Sequence, residues 1–393
     1  MTKLIDITGK ALSGEWGVDD DTGNGTPVIR TTNFTYTGKI DYTNVITRAI
    51  NKKNIAKKFL CKGDIIIEKS GGSDKFPVGR VVFFDGEENK YLFNNFTGLL
   101  RVKDKEKWFP KYVLYSLLSN YNRGGTRKFE NKTTGLHNLK IDDYVNKCNI
   151  RDVDFNHQKD ICNQLDKIDN IICKYKEEQY LLDELVKARF VEFFGDAIHN
   201  DKRWKTDTVE NLCKEIYGGG TPSKSHPEYY EDGDIPWVSS KDMKTEVLTD
   251  SQIKINQLGV DNSAARMVPI NSVIMVIRSG ILKHTLPVAI NVVPITVNQD
   301  LKVFIPNERV LTRFLAVQFK MHEKDILSGV RAVTADNIEF NSLKQRKLIV
   351  PPIDVQQEYV TFLEQIDKSR LEVQKSLEKT QELFDSLMQK YFG

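Results

Sequence analysis

The chain has 393 residues and a formal net charge of +3, enough for two ordinary domains that each bury a core. No apolar run approaches the roughly 18 residues that span a bilayer, and the opening MTKLIDITGK lacks a signal peptide's apolar middle, so a cytoplasmic protein with no membrane partner is expected. The five cysteines (Cys61, Cys148, Cys162, Cys173 and Cys213) form no C-x-x-C pair and are odd in number, which argues against a disulfide framework or a metal role.

Residues 1–150 carry 25 Lys and Arg against 17 Asp and Glu. That excess suits a phosphate-bearing partner, although solvated surfaces also show it. NGTPVIRTTNF (24–34) is a turn, a proline, a short apolar strand and then the polar cluster Arg30, Thr31, Thr32 and Asn33. KGDIIIEKSGGSDKFPVGRVVFF from Lys62 is a β-branched strand, a basic residue (Lys69), a Ser-Gly turn at Ser70 and a Pro-Val strand. YVLYSLLSNY from Tyr112 is an apolar helical stretch.

Residues 151–196 turn acidic, with 7 Lys and Arg against 11 Asp and Glu. Here Ile161, Leu165, Ile168, Ile172, Tyr175, Leu182, Val186 and Phe193 alternate by four and three, the seam of a helix held against a partner helix. The next stretch repeats the first, more faintly. GDIPWVSSKDM (233–243) matches NGTPVIRTTNF, with Ser239, Ser240 and Lys241 after the strand, and NSVIMVIRSGILKHTLPVAINVV from Asn271 matches the segment from Lys62, with Arg278 and Ser279 in place of Lys69 and Ser70. TRFLAVQF from Thr312 is its helix.

The residues from Ile353 align without a gap on those from Phe155: Gln356 falls on Gln158, and Phe392-Gly393 on Phe194-Gly195. Tyr359, Leu363, Ile366, Val373, Leu377, Phe384, Leu387 and Tyr391 continue the seam, with polar breaks at Gln179, Arg189, Arg370 and Thr380. Pro351-Pro352 precede this helix, and Asp354 with Gln357 forms a candidate capping box. The expected fold is α+β: two similar lobes (1–152 and 197–350) alternate with two long helices (153–196 and 351–393) of about 40 residues each. The chain order makes paired helices antiparallel, giving a pseudo-two-fold coiled coil with a lobe at each end.

No catalytic constellation emerges. GGGTPSKS lacks the glycine-lysine step of a phosphate loop, TGNG lacks the third glycine of a dinucleotide fingerprint, and no Asn/Asp-Pro-Pro-Tyr tetrapeptide marks an amino-methyltransferase. GDIIIEKS superficially resembles a nuclease metal strand, but Glu68 and Lys69 point to opposite faces. His137 and His284 read as loop residues. The two polar clusters are instead of the residue types that contact phosphates and base edges without altering them.

GGTPS, PEYY and GDIPWVSSKDM in the second lobe, with PPIDVQQEYVTFLEQID opening the last helix, resemble specificity subunits of type I restriction-modification systems; SGEWG and PVIRTTNF match a second variety of the same domain. The resemblance implies a non-catalytic subunit that binds double-stranded DNA. Each lobe would be a target recognition domain reading half of a bipartite asymmetric site, and the coiled coil would set the spacing and dock two methyltransferase subunits. Motor-endonuclease subunits would join these. S-adenosylmethionine, ATP and magnesium would belong to the partners, with no cofactor or metal in this chain. DNA contacts are then expected from Arg30 to Asn33, Lys69, Ser70, Thr221, Ser223, Lys224, Ser239 to Lys241, Arg278, Ser279 and Lys283, with Tyr229, Tyr230 and Trp237 packing the framework. The competing expectations are a coiled-coil protein-interaction scaffold without DNA specificity, and an enzyme using GDIIIEKS.

Overall fold

Four helices organise the fold in a computed structural model, which describes residues 1–50, 52, 55–133, 136–332 and 336–393. They are α1 (Pro110–Asn122), α2 (Phe155–Phe194), α3 (Thr312–Met321) and α4 (Ile353–Phe392). The long helices α2 and α4 each run 40 residues. Among the described residues no helix is long and apolar enough to cross a membrane. By compactness the chain divides into two units, Met1–Lys176 with Lys375–Gly393, and Glu177–Gln374.

In the first unit, the strands are β1 (Leu12–Ser13), β2 (Thr26–Ile29), β3 (Ile46–Ala49), β4 (Ile65–Glu68), β5 (Val81–Phe83), β6 (Leu92–Phe93) and β7 (Thr97–Leu100). One sheet has the order β1-β7-β4-β5, all antiparallel. Its central strand β4 is buried along its whole length, which is why the sequence shows an unbroken Ile65-Ile66-Ile67 run instead of alternation. In another sheet β2 pairs antiparallel with β3 and parallel with β6, Ile29 lying opposite Phe93. Thr2–Lys3 pairs with Asn149–Ile150 and brings the two ends of the lobe together. Helix α1 opens on Pro110, where a missing N–H costs nothing. It shares a core with Ile161 and Leu165 near the start of α2 and with Met388 and Phe392 at the end of α4.

The second unit repeats these pairings. Its strands are β8 (Cys213–Gly218), β9 (Ile235–Val238), β10 (Lys254–Ile255), β11 (Val273–Val276), β12 (Val288–Asn291), β13 (Thr296–Val297) and β14 (Leu301–Pro306). The larger sheet has the order β8-β14-β11-β12, extended by Val247–Leu248. The smaller pairs β9 antiparallel with β10 and parallel with β13, as β2 pairs with β3 and β6. Thr206–Thr208 pairs with Lys347–Ile349 as Thr2–Lys3 pairs with Asn149–Ile150. The core joins α3 to Phe190 and Phe194 at the end of α2 and to Tyr359 and Leu363 near the start of α4. The ring of Phe194 lies 4.8 Å from Phe314 and 5.3 Å from Tyr359.

One detail of the lobe repeat is corrected by the ladders. Pro287-Val288 leads straight into β12, but Pro77-Val78 stops short of β5, which begins at Val81. The matching backbone bonds at Asp64 and Ser272 place Ile66 with Ile274; the residue opposite Ile66 is Val82, and opposite Ile274 it is Ala289. The first lobe thus carries one extra residue in this stretch, where Ser70–Gly72 leaves to pair with Leu136–Leu139.

The long helices pack antiparallel: start of α2 with end of α4 in one unit, end of α2 with start of α4 in the other. All fourteen residues assigned to the seam, together with Phe193 and Tyr391, are buried or half-buried. Two polar breaks bridge the helices, Gln179 Nε2 donating to Gln374 Oε1 at 2.7 Å and Arg370 pairing with Asp183 at 2.5 Å.

The expected Asp354 cap is not the start signal of α4, because that helix already begins at Ile353 and Asp354 sits in its first turn. The side-chain cap is on α2 instead, where Asp154 Oδ1 accepts from His157 N at 2.9 Å. What both helix starts share is a fully buried glutamine. Gln158 Oε1 accepts from Phe109 N, and its amide donates to Lys107 O and Val153 O, all at 2.9–3.0 Å. Gln356 Oε1 accepts from Leu311 N, and its amide donates to Arg309 O and Pro351 O at 2.8–3.0 Å. Each glutamine ties the amino end of the lobe helix to the start of a long helix. It satisfies backbone groups that burial would otherwise leave unpaired.

Candidate nucleic-acid interface

In the first lobe the polar cluster forms a tight turn at the end of β2, a 3-10 helix over Thr31–Asn33. Arg30 N donates to Asn33 Oδ1 at 2.9 Å, Asn33 Nδ2 to Asp41 O at 3.0 Å, and the Arg30 guanidinium to Asn44 O at 3.1 Å. Asn33 is 2% exposed, so its amide shapes the turn instead of facing a ligand. Thr32 is exposed, with Arg30 and Thr31 half-buried. Lys69 donates to Ser13 Oγ at 2.7 Å, beside the half-buried Ser70. Burial pulls the Lys69 ammonium below its ordinary pKa, with Lys58 adding to the effect.

The equivalent turn of the second lobe is held by a carboxylate. Asp242 Oδ2 accepts from both Ser239 N and Ser239 Oγ at 2.8 Å, and Asp242 Oδ1 accepts from Gln252 N at 2.9 Å. Ser240, Lys241 and Ser279 line one cavity of about 770 Å³ together with Thr245, Glu246 and Gln252. These three expected residues are therefore brought together. Arg278 is exposed but ion-paired with Asp300 at 2.6 Å, and Lys283 lies 3.8 Å from Asp336.

Thr221, Ser223 and Lys224 are exposed on a separate loop, where Thr221 Oγ1 bonds Gln299 Oε1 and Ser223 Oγ lies 2.7 Å from Ser225 Oγ. The glycines before that loop are required by close approach: a Cβ on Gly219 would strike the carbonyl of Val297, and one on Gly220 that of Ala264. Trp237 is 7% exposed and donates from Nε1 to Gly220 O at 3.0 Å, while Tyr230 donates to Pro222 O at 2.6 Å. Both serve the framework. Half-buried Tyr229 stacks on His226 at 4.9 Å.

The acidic strand that invited a nuclease reading is neutralised by arginines. Asp64 is bound by Arg101 at 2.6–2.7 Å and Glu68 by Arg80 at 2.8–3.0 Å, both carboxylates buried. No cluster of three or more metal-ligating side chains occurs among the described residues. His137 is not a loop residue. It lies on the strand Leu136–Leu139, 4% exposed, with Nδ1 2.8 Å from Glu130 Oε2. The periodicity of that short, masked-by-polars strand (LHNL) is too brief to reveal it.

Sequence reasoning also missed Arg80, Tyr36 and Phe76. Tyr36 and Phe76 are 54% and 46% exposed, with ring centroids 5.8 Å apart. They lie far apart in the chain, in segments without regular periodicity.

Residues 201–383 match the family model of the type I restriction modification DNA specificity domain. The matched span takes in most of the second lobe and the greater part of α4. The resemblance to type I specificity subunits therefore holds, and it extends to curated relatives. The chain is 35% identical over 194 residues to the specificity subunit of the type I restriction enzyme EcoR124I/EcoR124II of Escherichia coli, covering 49% of this chain and 45% of that protein. It is 21% identical over 253 residues to the MjaIX specificity subunit of Methanocaldococcus jannaschii, covering 59% of this chain and 57% of that protein. The matches thus span about half the length of these relatives. The fold is similar to that of the S subunit of a type I restriction-modification system from M. genitalium, with a TM-score of 0.58 and 15% identity over 100% of this chain and 95% of that one.

Proposed function

We propose that this chain is the non-catalytic, sequence-reading subunit of a type I restriction-modification complex. Residues 1–152 and 197–350 would be its two target recognition domains, each reading half of a bipartite, asymmetric duplex site. The observation that carries the reading is the duplicated turn: Arg30–Asn33 and Ser239–Asp242 each follow a strand paired parallel to its neighbour, in lobes of matching strand order. The specificity-domain match over 201–383 supports it.

In this reading Arg30, Thr31 and Thr32, with Lys69 and Ser70, serve one half-site, and Ser240, Lys241, Arg278, Ser279 and Lys283 the other. Thr221, Ser223 and Lys224 contribute from the adjoining exposed loop, and Asn33 and Ser239 hold the turns. The segments 153–196 and 351–393 set the gap between half-sites and dock two methyltransferase subunits. Exposed Tyr180, Leu181, Leu185 and Leu371 on the long helices supply apolar surface for docking. S-adenosylmethionine, ATP and magnesium act on the methyltransferase and motor-endonuclease partners, in the cytoplasm.

The test is binding of the chain, assembled with its methyltransferase partner, to duplexes over a range of salt. One bipartite sequence should be preferred, with affinity falling steeply as salt rises. Equal affinity for unrelated duplexes, or partner binding without DNA binding, would favour a protein-interaction scaffold. Arg30→Ala should relax preference in one half-site only.

A further inference from the structure

The Glu68–Arg80 pair lies deep in the first lobe, their side chains 3% and 17% exposed. Arg80 binds both carboxylate oxygens of Glu68, Nε at 3.0 Å and NH2 at 2.8 Å. Its remaining donors leave the sheet: NH1 donates to Phe34 O and NH2 to Thr31 O, each at 3.2 Å. These two carbonyls bracket the turn at the end of β2. The same guanidinium lies 5.3 Å from the ring of Tyr36. Tyr36 in turn meets Phe76, and Lys75 Nζ lies 5.2 Å from the Phe76 ring.

The second lobe manages without this pair. Glu68 N donates to Arg80 O, one step beyond the Ile67–Val81 pairing. In the second lobe the equivalent bond runs from Val276 N to Pro287 O, and Val276 ends the pairing with Leu301 as Glu68 ends the pairing with Thr97, so Val276 and Pro287 stand at the corresponding positions. Both are buried. A buried ion pair must overcome the loss of solvation of two charges, and an apolar pair of similar size is often as stable or more so. Stability of the sheet therefore does not explain why the first lobe carries charges here. What a guanidinium supplies and an apolar side chain cannot is a set of donors reaching two carbonyls of the turn, in a fixed plane.

We infer that Glu68–Arg80 is a positioning device for DNA reading by the first lobe: Glu68 orients Arg80, which holds the Arg30–Phe34 turn and seats Tyr36 against Phe76 as an exposed aromatic platform for bases. Aromatic faces of this kind stack on bases with little regard to sequence, while the turn supplies selectivity. The inference rests on the reading of the lobe as a DNA-binding domain.

The deciding variant replaces the charges with an apolar pair of similar size, Glu68→Ile with Arg80→Leu. The full chain with its methyltransferase partner is titrated with duplexes carrying the preferred site, or the same site altered in one half. The half-site relaxed by Arg30→Ala marks the first lobe. Discrimination there is expected to drop about tenfold or more, the other half-site to be read as before, and thermal unfolding to stay at or above wild type. Arg80→Lys decides the matter if the double variant fails to fold, since lysine retains the charge but cannot span Glu68 and both carbonyls. It should lose discrimination at the same half-site alone. A folded variant that reads both half-sites like wild type overturns the inference and leaves the DNA reading standing. A wild-type complex with no half-site preference overturns that reading, and this inference with it.

Discussion

The two lobes share a strand plan but not an interior chemistry. Asp64 in the first corresponds to Ser272 in the second, their carbonyls accepting from Phe84 N and Asn291 N, and Arg101, the next residue beyond the Ile65–Leu100 pairing, corresponds to Ile305, the next beyond Val273–Phe304. An ion pair thus occupies the place of a serine beside an isoleucine, and on the other side of the central strand Glu68–Arg80 stands where the second lobe has Val276 and Pro287. Ladder register and the position of the lobe helix are what the lobes have in common. The groups that complete the core differ, and so do the groups that hold the turns: Arg80 with Asn33 in one, Asp242 in the other. Similar backbones can therefore present dissimilar surfaces to a ligand.

The sharpest way to break this comparison is to remove one member of a pair. Arg101→Ala leaves Asp64, 1% exposed, without its guanidinium. It should cost about 3–5 kcal/mol in denaturant unfolding, whereas Asp64→Val with Arg101→Phe, an apolar pair in its place, should be near neutral. A double variant as damaged as the single would mean that an apolar pair cannot serve this position of the first lobe. Next in size is the shared glutamine. Gln158→Ala and Gln356→Ala each orphan one buried backbone N–H and two carbonyls, an expected loss of about 3 kcal/mol in either unit. Hydrogen exchange should report it first at the amides of Phe109 and Leu311.

A pH difference sharpens the comparison further. Burial, and then the neighbouring Arg346 guanidinium, push His322 down to about 4, opposed by Asp325 and Asp196. Its ring nitrogens have no hydrogen-bond partner among the described residues. The folded value lies below the ordinary 6.5, so the unfolded chain binds the extra proton between these values and stability falls as pH is lowered through that window. Counting from Phe109 and Leu311, the first lobe has Asn120 at the matching place. The second unit should therefore lose about 2 kcal/mol between pH 7 and 4.5 from this group, and His322→Phe should remove that loss. The smallest effect belongs to the helix pair: Arg370→Ala, which removes the partly exposed contact with Asp183, should cost below about 1 kcal/mol and less still in high salt.

Much of the fold was legible in the chain. The seam from Ile161 to Tyr391 was readable because a helix packed along one face repeats its apolar residues at a regular interval. The central strands were readable because burial on both faces demands unbroken apolar runs such as IIIE and VIMV. The interface was less legible. Arg30–Asn33 appeared as four equivalent polar residues, yet the fold buries Asn33 and leaves Thr32 exposed. Arg278 appeared as a free cation, yet it is matched to Asp300, 22 residues away. Pairing partners at such separations follow no local period.

The sequence by itself determined the two lobes, the two long helices and their order, because these depend on apolar spacing and turn chemistry, properties of neighbouring residues. Only the tertiary structure decided that Gln158 and Gln356 act as matching clamps, that Asp64 and Glu68 are held by arginines, and that Tyr36 meets Phe76. Each of these depends on which distant groups burial brings within hydrogen-bond or contact range, and the same residue types would serve equally well on a solvated surface.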